Sequence, residues 1–264
     1  ADPLTTGLLG LAAMFLLIIL QVPVGIAMGV IGVVGTGLII GFDSALTLLA
    51  TEPSSAMAAE GLAVIALFLL MGNLAHSGGL SDELYRLAYA FLGHRRGGLI
   101  FATIGACAGF GAICGSSVAT TATMARIALP QMIERGYARS LAAGAIASGG
   151  TLGMIIPPSV VMILYAILTE NSIITLFLAA IVPGLLAVFF YFVAIGFVVR
   201  LFPKTAPRGE RLSWRQRGRE TRNSWAVVLL AVSVSGGIYS GIFTVAEAAA
   251  VGASMALAIS LVRR

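Results

Sequence analysis

Two uncharged segments gather oxygen donors and very small side chains in a chain where little else is polar. The first, ICGSSVATTAT over Ile113–Thr123, has six Gly, Ser or Thr among its eleven residues. The second, ASGGTLGMIIPPS over Ala147–Ser159, carries three glycines and the consecutive pair Pro157 and Pro158. Neither proline has an N–H, so carbonyls one turn earlier lose their helical partners. Freed carbonyls and hydroxyls can replace the hydration shell of a hard, oxygen-seeking cation, which suits Na+ better than a transition metal. Small residues also allow close helix packing, and Gly105/Gly109 and Gly111/Gly115 have the spacing for it. Ligand binding and packing are both open readings at this point.

The elements that must position these segments lie in lipid. Of 264 residues, 59% are hydrophobic and 10% charged, and the mean hydropathy is +1.02. A soluble domain carries about 25% charge, so the expected class is an all-α polytopic membrane protein. The net charge of +5 does not point to nucleic acid. Seven basic residues against two acidic ones between Lys204 and Arg222 account for all of it, as the positive-inside rule expects of a cytoplasmic connector. Cys107 and Cys114 read as packing residues, since no metal-ligand spacing surrounds them. No basic n-region precedes the first apolar span, so no cleavable signal is expected, and the Ala1-Asp2-Pro3 start lacks Met.

Spans are expected at Leu8–Leu20, Ile26–Ile40, Leu62–Leu74, Ile173–Phe202, Trp225–Phe243 and Ala246–Val262. Gln21–Gly25 interrupts the first pair through Pro23, and Asp43–Glu60 is a mixed acidic segment. Leu80–Leu92 has apolar residues at helical spacing and Ser81 at its start, and is expected to lie in the membrane interface. With Arg95/Arg96, Arg135/Arg139, the connector and Arg263/Arg264 placed inside the cell, every crossing alternates on one condition. Gly97–Pro130 must enter and leave on the same cytoplasmic side. Its arms, roughly 14 residues or about 21 Å each, are shorter than the ~30 Å hydrocarbon core. The expectation is a re-entrant helical hairpin with its tip at Gly115–Thr121, paired with a helix broken across Ser148–Ser159. The same count puts the N-terminus outside.

The stretches GSSVATTATMARIALPQMIERGY, SGGTLGMIIPPSVVMILYAILTENSI, LFLAAIVPGLLAVF and GGIYSGIFTVAEAAAVGASMALAIS resemble the large membrane subunit of TRAP transporters, the DctM-like family. The resemblance runs from about Gln21 onward. It implies the first inverted repeat of an elevator-type transporter. Residues 1–94 would hold scaffold spans and an interfacial arm helix, and 95–172 the transport-domain hairpin and broken helix. Residues 173–264 would hold further spans with the cytoplasmic connector 203–224. It implies Na+-coupled import of organic acid anions across the bacterial inner membrane, no other cofactor, a small membrane subunit and a periplasmic substrate-binding protein as partners. C4-dicarboxylates, sialic acid, 2-oxo acids and ectoine-like solutes all fit as substrates. The positions matching the family's Na+ and substrate site are Gly115, Ser116, Ser117 and Thr120 at the tip. In the broken helix they are Ser148, Gly149, Gly150, Thr151, Gly153, Pro157 and Pro158. The Na+ site is expected between the Ser116 and Thr151 regions.

Two departures stand out. No second GSS or PPS motif occurs, so the second repeat is expected to be missing, and Ala66 stands where many relatives have a kinking proline. The rival reading is an elevator-type ion or anion carrier that works without a periplasmic binding protein. A serine hydrolase is not expected, because no GxSxG elbow or nearby histidine base accompanies Ser116. Arg126 either faces water or a carboxylate, or snorkels to the cytoplasmic surface. Thr244 and Glu247 read as a helix-capping box.

Overall fold

The computed structural model describes residues 3–58 and 60–263, and its regular elements are helices. Ala1, Asp2, Arg264 and the Glu60 side chain, all singled out above, lie outside the described residues. The chain divides into two compact units, Ala1–Leu62 and Ala63–Arg264. Among the described residues, two helices are long and apolar enough to cross a membrane, or up to four if each of two bent pairs is one span.

The first unit holds α1 (Pro3–Ile19), α2 (Val24–Ile40) and α3 (Phe42–Ala58). Gln21 adopts a φ of 65° and Pro23 stands at the N-cap of α2, so the expected interruption is there. The mixed acidic segment turns out to be a helix, α3, with Pro53 inside it.

The second unit is built around α6 (Gly98–Cys114), which is buried on most of its circumference. A helix apolar all round has no solvent face to offer and goes to the core. Around it lie α5 (Leu80–Leu92), α7 (Ser117–Glu134), α8 (Arg139–Gly150), α9 (Leu152–Ile155) and α11 (Ile173–Leu201). A second cluster joins α4 (Glu60–Ser77) and α10 (Val160–Leu168) with α13 (Trp225–Ala231) and α15 (Val245–Val262). A π-helical turn over Val232–Gly236 and the short α14 (Gly237–Tyr239) continue α13.

Some expectations hold and others change. Helix α4 passes Ala66 without a break and bends by 68° into α5. Helix α5 starts at Gly79 in the left-handed region, not at Ser81, which is buried. The apolar face of α5 meets protein: Leu84 lies over Gly109, and Ala88 and Leu92 over Gly105. The Gly105/Gly109 spacing thus serves packing. The capping box at Thr244 and Glu247 is present, with the Glu247 carboxylate accepting from the Thr244 amide at 2.8 Å.

The connector is more ordered than its composition suggests. Residues 202–211 form a strap across the open end of the hairpin. Gly97 N–H and the Tyr137 hydroxyl both donate to Pro207 O (3.3 and 3.0 Å), and Ala138 N–H donates to Thr205 O (3.0 Å). Ala206 between them is fully buried. A helix, α12 (Trp214–Asn223), then starts at a Ser213–Gln216 capping box and packs on α5. Its Arg217 guanidinium stacks on Phe91 and Trp214, at 5.9 and 4.9 Å from the ring centres. Glu83 pairs with Arg263 at 2.7 Å. The long apolar rods are thereby held at one end by a polar clasp.

Two predictions follow from this packing. A Cβ at Gly111 would sit 2.6 Å from the Gly153 Cα, backbone against backbone. Gly111→Ala is therefore expected to cost about 1–3 kcal/mol and lower the thermal midpoint; an unchanged midpoint would refute this crossing. In the clasp, His94 is held below its ordinary value by burial, then by Arg217, Arg211 and Arg95. The unfolded chain takes up a proton near pH about 6.5 while the folded one resists it. Stability is thus complete above that pH and falls as pH drops toward the lowered folded value. His94→Gln should flatten the acid limb of a thermal-midpoint-against-pH curve; an identical slope would count against the assignment.

Candidate functional site

The hairpin closes at Gly115, whose φ of 62° is left-handed. A Cβ there would lie 3.0 Å from Pro158 O, so only glycine satisfies both the turn and the contact. Ser116 is extended and caps α7, its Oγ accepting from the Ala119 amide at 3.4 Å. The Thr120 hydroxyl, fully buried, donates to Ser116 O at 2.7 Å. The tip docks on the break in the second helix. Val160 N–H, the first amide of α10, donates to Gly115 O at 3.1 Å.

The break is narrower than the sequence indicates. Helix continues through Ser148–Gly150 and, after Thr151, through α9 to Ile155. The interruption falls at Ile156–Ser159, where the Pro157–Pro158 bond is cis and the axis bends by 43°. Pro157 and Pro158 cannot donate to Gly153 O and Met154 O. The Ser159 hydroxyl takes Met154 O at 2.8 Å, leaving Gly153 O without a donor from the following turn. Four helix ends meet here. Helices α6 and α9 bring C-terminal carbonyls, and α7 and α10 bring N-terminal amides. Carbonyl ends attract cations and amide ends attract anions.

Not all the sequence-predicted residues share this junction. Gly115, Ser116, Thr120, Gly153 and Pro158 do: a Cβ at Gly153 would lie 3.1 Å from both Ser116 O and Thr120 Oγ1. Ser117 opens α7 beside them, half-buried. Pro157 is buried in the break. Gly149 and Gly150 lie further down, against Cys107 and Thr121, where they let α8 approach α6 and α7. Thr151 and Ser148 turn to α11. The Thr151 hydroxyl bonds Ser148 O (2.7 Å) and pairs with the Tyr191 hydroxyl (3.0 Å). Ser148 and Tyr191 line a cavity of about 200 Å³ with Ser140 and Gly144. Two participants at the junction went unpredicted. Ser159 follows the proline pair directly, and an N-cap residue after a helix break could have revealed it. Cys114 Sγ lies 3.1 Å from Thr120 Oγ1; only its place at the helix end hinted at this.

Paired half-helices whose ends meet away from the helix bases are an arrangement found in membrane transporters built on broken helices. Residues 11–264 match the family described as the tripartite ATP-independent periplasmic transporter, DctM component. The chain belongs to that family. It is 40% identical over 232 residues to the C4-dicarboxylate TRAP transporter large permease protein DctM of Pseudomonas aeruginosa, covering 84% of this chain and 54% of that protein. It is 36% identical over 250 residues to the protein of the same name in Vibrio cholerae, with coverages of 93% and 54%. The isethionate TRAP transporter permease protein DctMQ of Oleidesulfovibrio alaskensis is 34% identical over 264 residues, with coverages of 98% and 40%. The chain thus spans about half the length of the curated relatives it matches.

The buried Ser159 hydroxyl gives the junction its own test. Ser159→Ala leaves Met154 O unpartnered and should cost about 1–3 kcal/mol in thermal or chemical unfolding. A neutral result would mean that the carbonyl finds another donor.

Proposed function

We propose that this chain serves in the large permease of a Na+-coupled TRAP transporter that imports organic acid anions. It would work in the bacterial inner membrane with a small membrane subunit and a periplasmic substrate-binding protein. The observation that carries the reading is how far the tip reaches. Helices α6 and α7 have 17 and 18 residues, or about 25 and 27 Å each. Beside them α11 has 29 residues, about 44 Å. The break packs against Gly184 of α11, near Ile155 and Ile156. From that level, about 25 Å of α11 runs to the strap end and about 16 Å runs the other way. With the basic strap in the cytoplasm and the N-terminus periplasmic, the tip turns back inside the bilayer. Irregular backbone at such depth is tolerated only where protein or a wet cavity covers it.

The chemistry of the junction supports an ion and an anion side by side. Ser116 Oγ and the unpartnered Gly153 O are hard oxygen donors suited to Na+. The amide ends of α7 and α10 suit a carboxylate. Because the junction lies at Gly153 and Ser159, the proposed ion position is nearer those residues than the Thr151 side chain, which is engaged by Tyr191. Ion and substrate would each stabilise the same ordered tip, and couplings of about 1–3 kcal/mol are typical of such linkage. Movement of residues 95–172 against the flanking scaffold would then carry both across.

Ser116→Ala in the complete transporter, reconstituted in liposomes, is expected to raise the half-saturating Na+ about 5-fold or more, equivalent to ~1 kcal/mol. Unchanged Na+ dependence would remove Ser116 from the ion site. Uptake that persists without the periplasmic protein would select the carrier that needs none.

A further inference from the structure

We propose a second anion subsite, beside the hairpin tip, in the cavity between α4, α6 and α7, where Arg126 receives a carboxylate on its way to the cytoplasm. It rests on the transport reading above and names a station on that path. The cavity holds about 180 Å³ and is lined by Asn73 and His76 of α4, Phe110 of α6, and Ala122, Thr123 and Arg126 of α7. Its polar groups form a connected set. His76 Nδ1 lies 3.2 Å from the Ser81 hydroxyl and 3.5 Å from the Thr123 hydroxyl. Among the described residues, Arg126 makes no hydrogen bond or ion pair; the two ion pairs found there use Arg86 and Arg263.

The position of that guanidinium makes it informative. Arg126 lies about nine residues from the start of α7 and eight from its end, or about 13 and 12 Å along the axis. Under the reading above it sits midway down the hairpin arm, too far from the base for its stem to reach the cytoplasmic surface. An arginine at membrane depth is costly, and such residues face a bundle interior or wet cavity and pair with another group. No carboxylate of the described chain fills that place. A guanidinium presents a planar fork matched to a carboxylate, and Asn73 and Thr123 add neutral donors on the same wall. Gly72 and Ala119 complete the lining and bring the cavity up to the tip, since Ala119 N–H bonds Ser116 and Gly72 packs on Cys114.

The test uses the complete transporter in nanodiscs of phosphatidylcholine alone, with a reporter thiol on the cavity wall at Asn73→Cys or Ala122→Cys. The native Cys107 and Cys114 are buried. Succinate is the probe and its neutral diamide the control. Succinate should slow maleimide labelling at least 5-fold at one or both positions, the diamide should not, and Arg126→Gln should abolish the protection while Arg126→Lys keeps part of it. A rate that is the same with and without succinate at both positions, fast or absent, overturns the proposal. Protection seen only after adding phosphatidylglycerol also overturns it, because a lipid headgroup then occupies the site. Uptake assays on the same variants reconstituted in liposomes separate the two claims. Uptake without protection sinks the subsite alone, whereas protection without uptake sustains the subsite and sinks the transport reading.

Discussion

The hydrogen bond from Val160 N–H to Gly115 O is the contact on which the rest is organised. It joins the turn of the hairpin to the first amide of the half-helix beyond the proline break. Both partners are peptide groups that a continuous helix would have satisfied internally. Unmaking two helices at one level creates orphan donors and acceptors, and each unsatisfied group in an apolar surrounding costs several kcal/mol. The two irregularities are tolerable because each supplies part of what the other lacks. Gly115 can turn only because it has no side chain, and the same lack lets Pro158 and Ser159 approach it.

That constraint explains the packing beneath it. For the tip to meet the break, α6, α7 and α8 must run close together for most of their length. Gly111 crosses Gly153, Gly149 meets Cys107, and Gly150 meets Thr121. Outside, Gly105 and Gly109 receive α5. These glycines are therefore packing devices, and they bring the polar backbone of the junction into one place. At the opposite end the strap and α12 clasp the helix bases with polar contacts.

Family membership narrows what this architecture serves. The matched relatives are TRAP permeases whose names include both C4-dicarboxylate and isethionate transporters. The junction itself is made of main-chain groups and hydroxyls and carries no side-chain charge. Among the described residues the unpaired Arg126 is the one charged group in the middle of α7, whose other charge, Glu134, stands at its base.

By itself the sequence determined the helical class, the pairing of two breaks and the cap at Thr244, since each depends on local chemistry: apolar runs, missing proline donors, a Ser/Thr–x–x–Glu pattern. It placed Gly115 and Ser116 at a turn because small hydroxyl residues interrupt an apolar stretch there, but the expected break to Thr121 ends at Ser116, and Thr120 lies in the first turns of α7. Local signals could not separate Gly153 from Thr151, two residues apart in similar surroundings. Helical rotation aims one at the tip and the other at Tyr191, and only the packing of α8 and α9 fixes that rotation. The helix in Asp43–Glu60, the inward face of α5 and the strap were hidden for the same reason, as were the groups that gather around His76. His76 and Thr123 lie 47 residues apart in sequence, and their meeting depends on α4 and α7 docking side by side. Composition and spacing announce which groups the chain possesses; the burial of whole helix faces decides which of them touch.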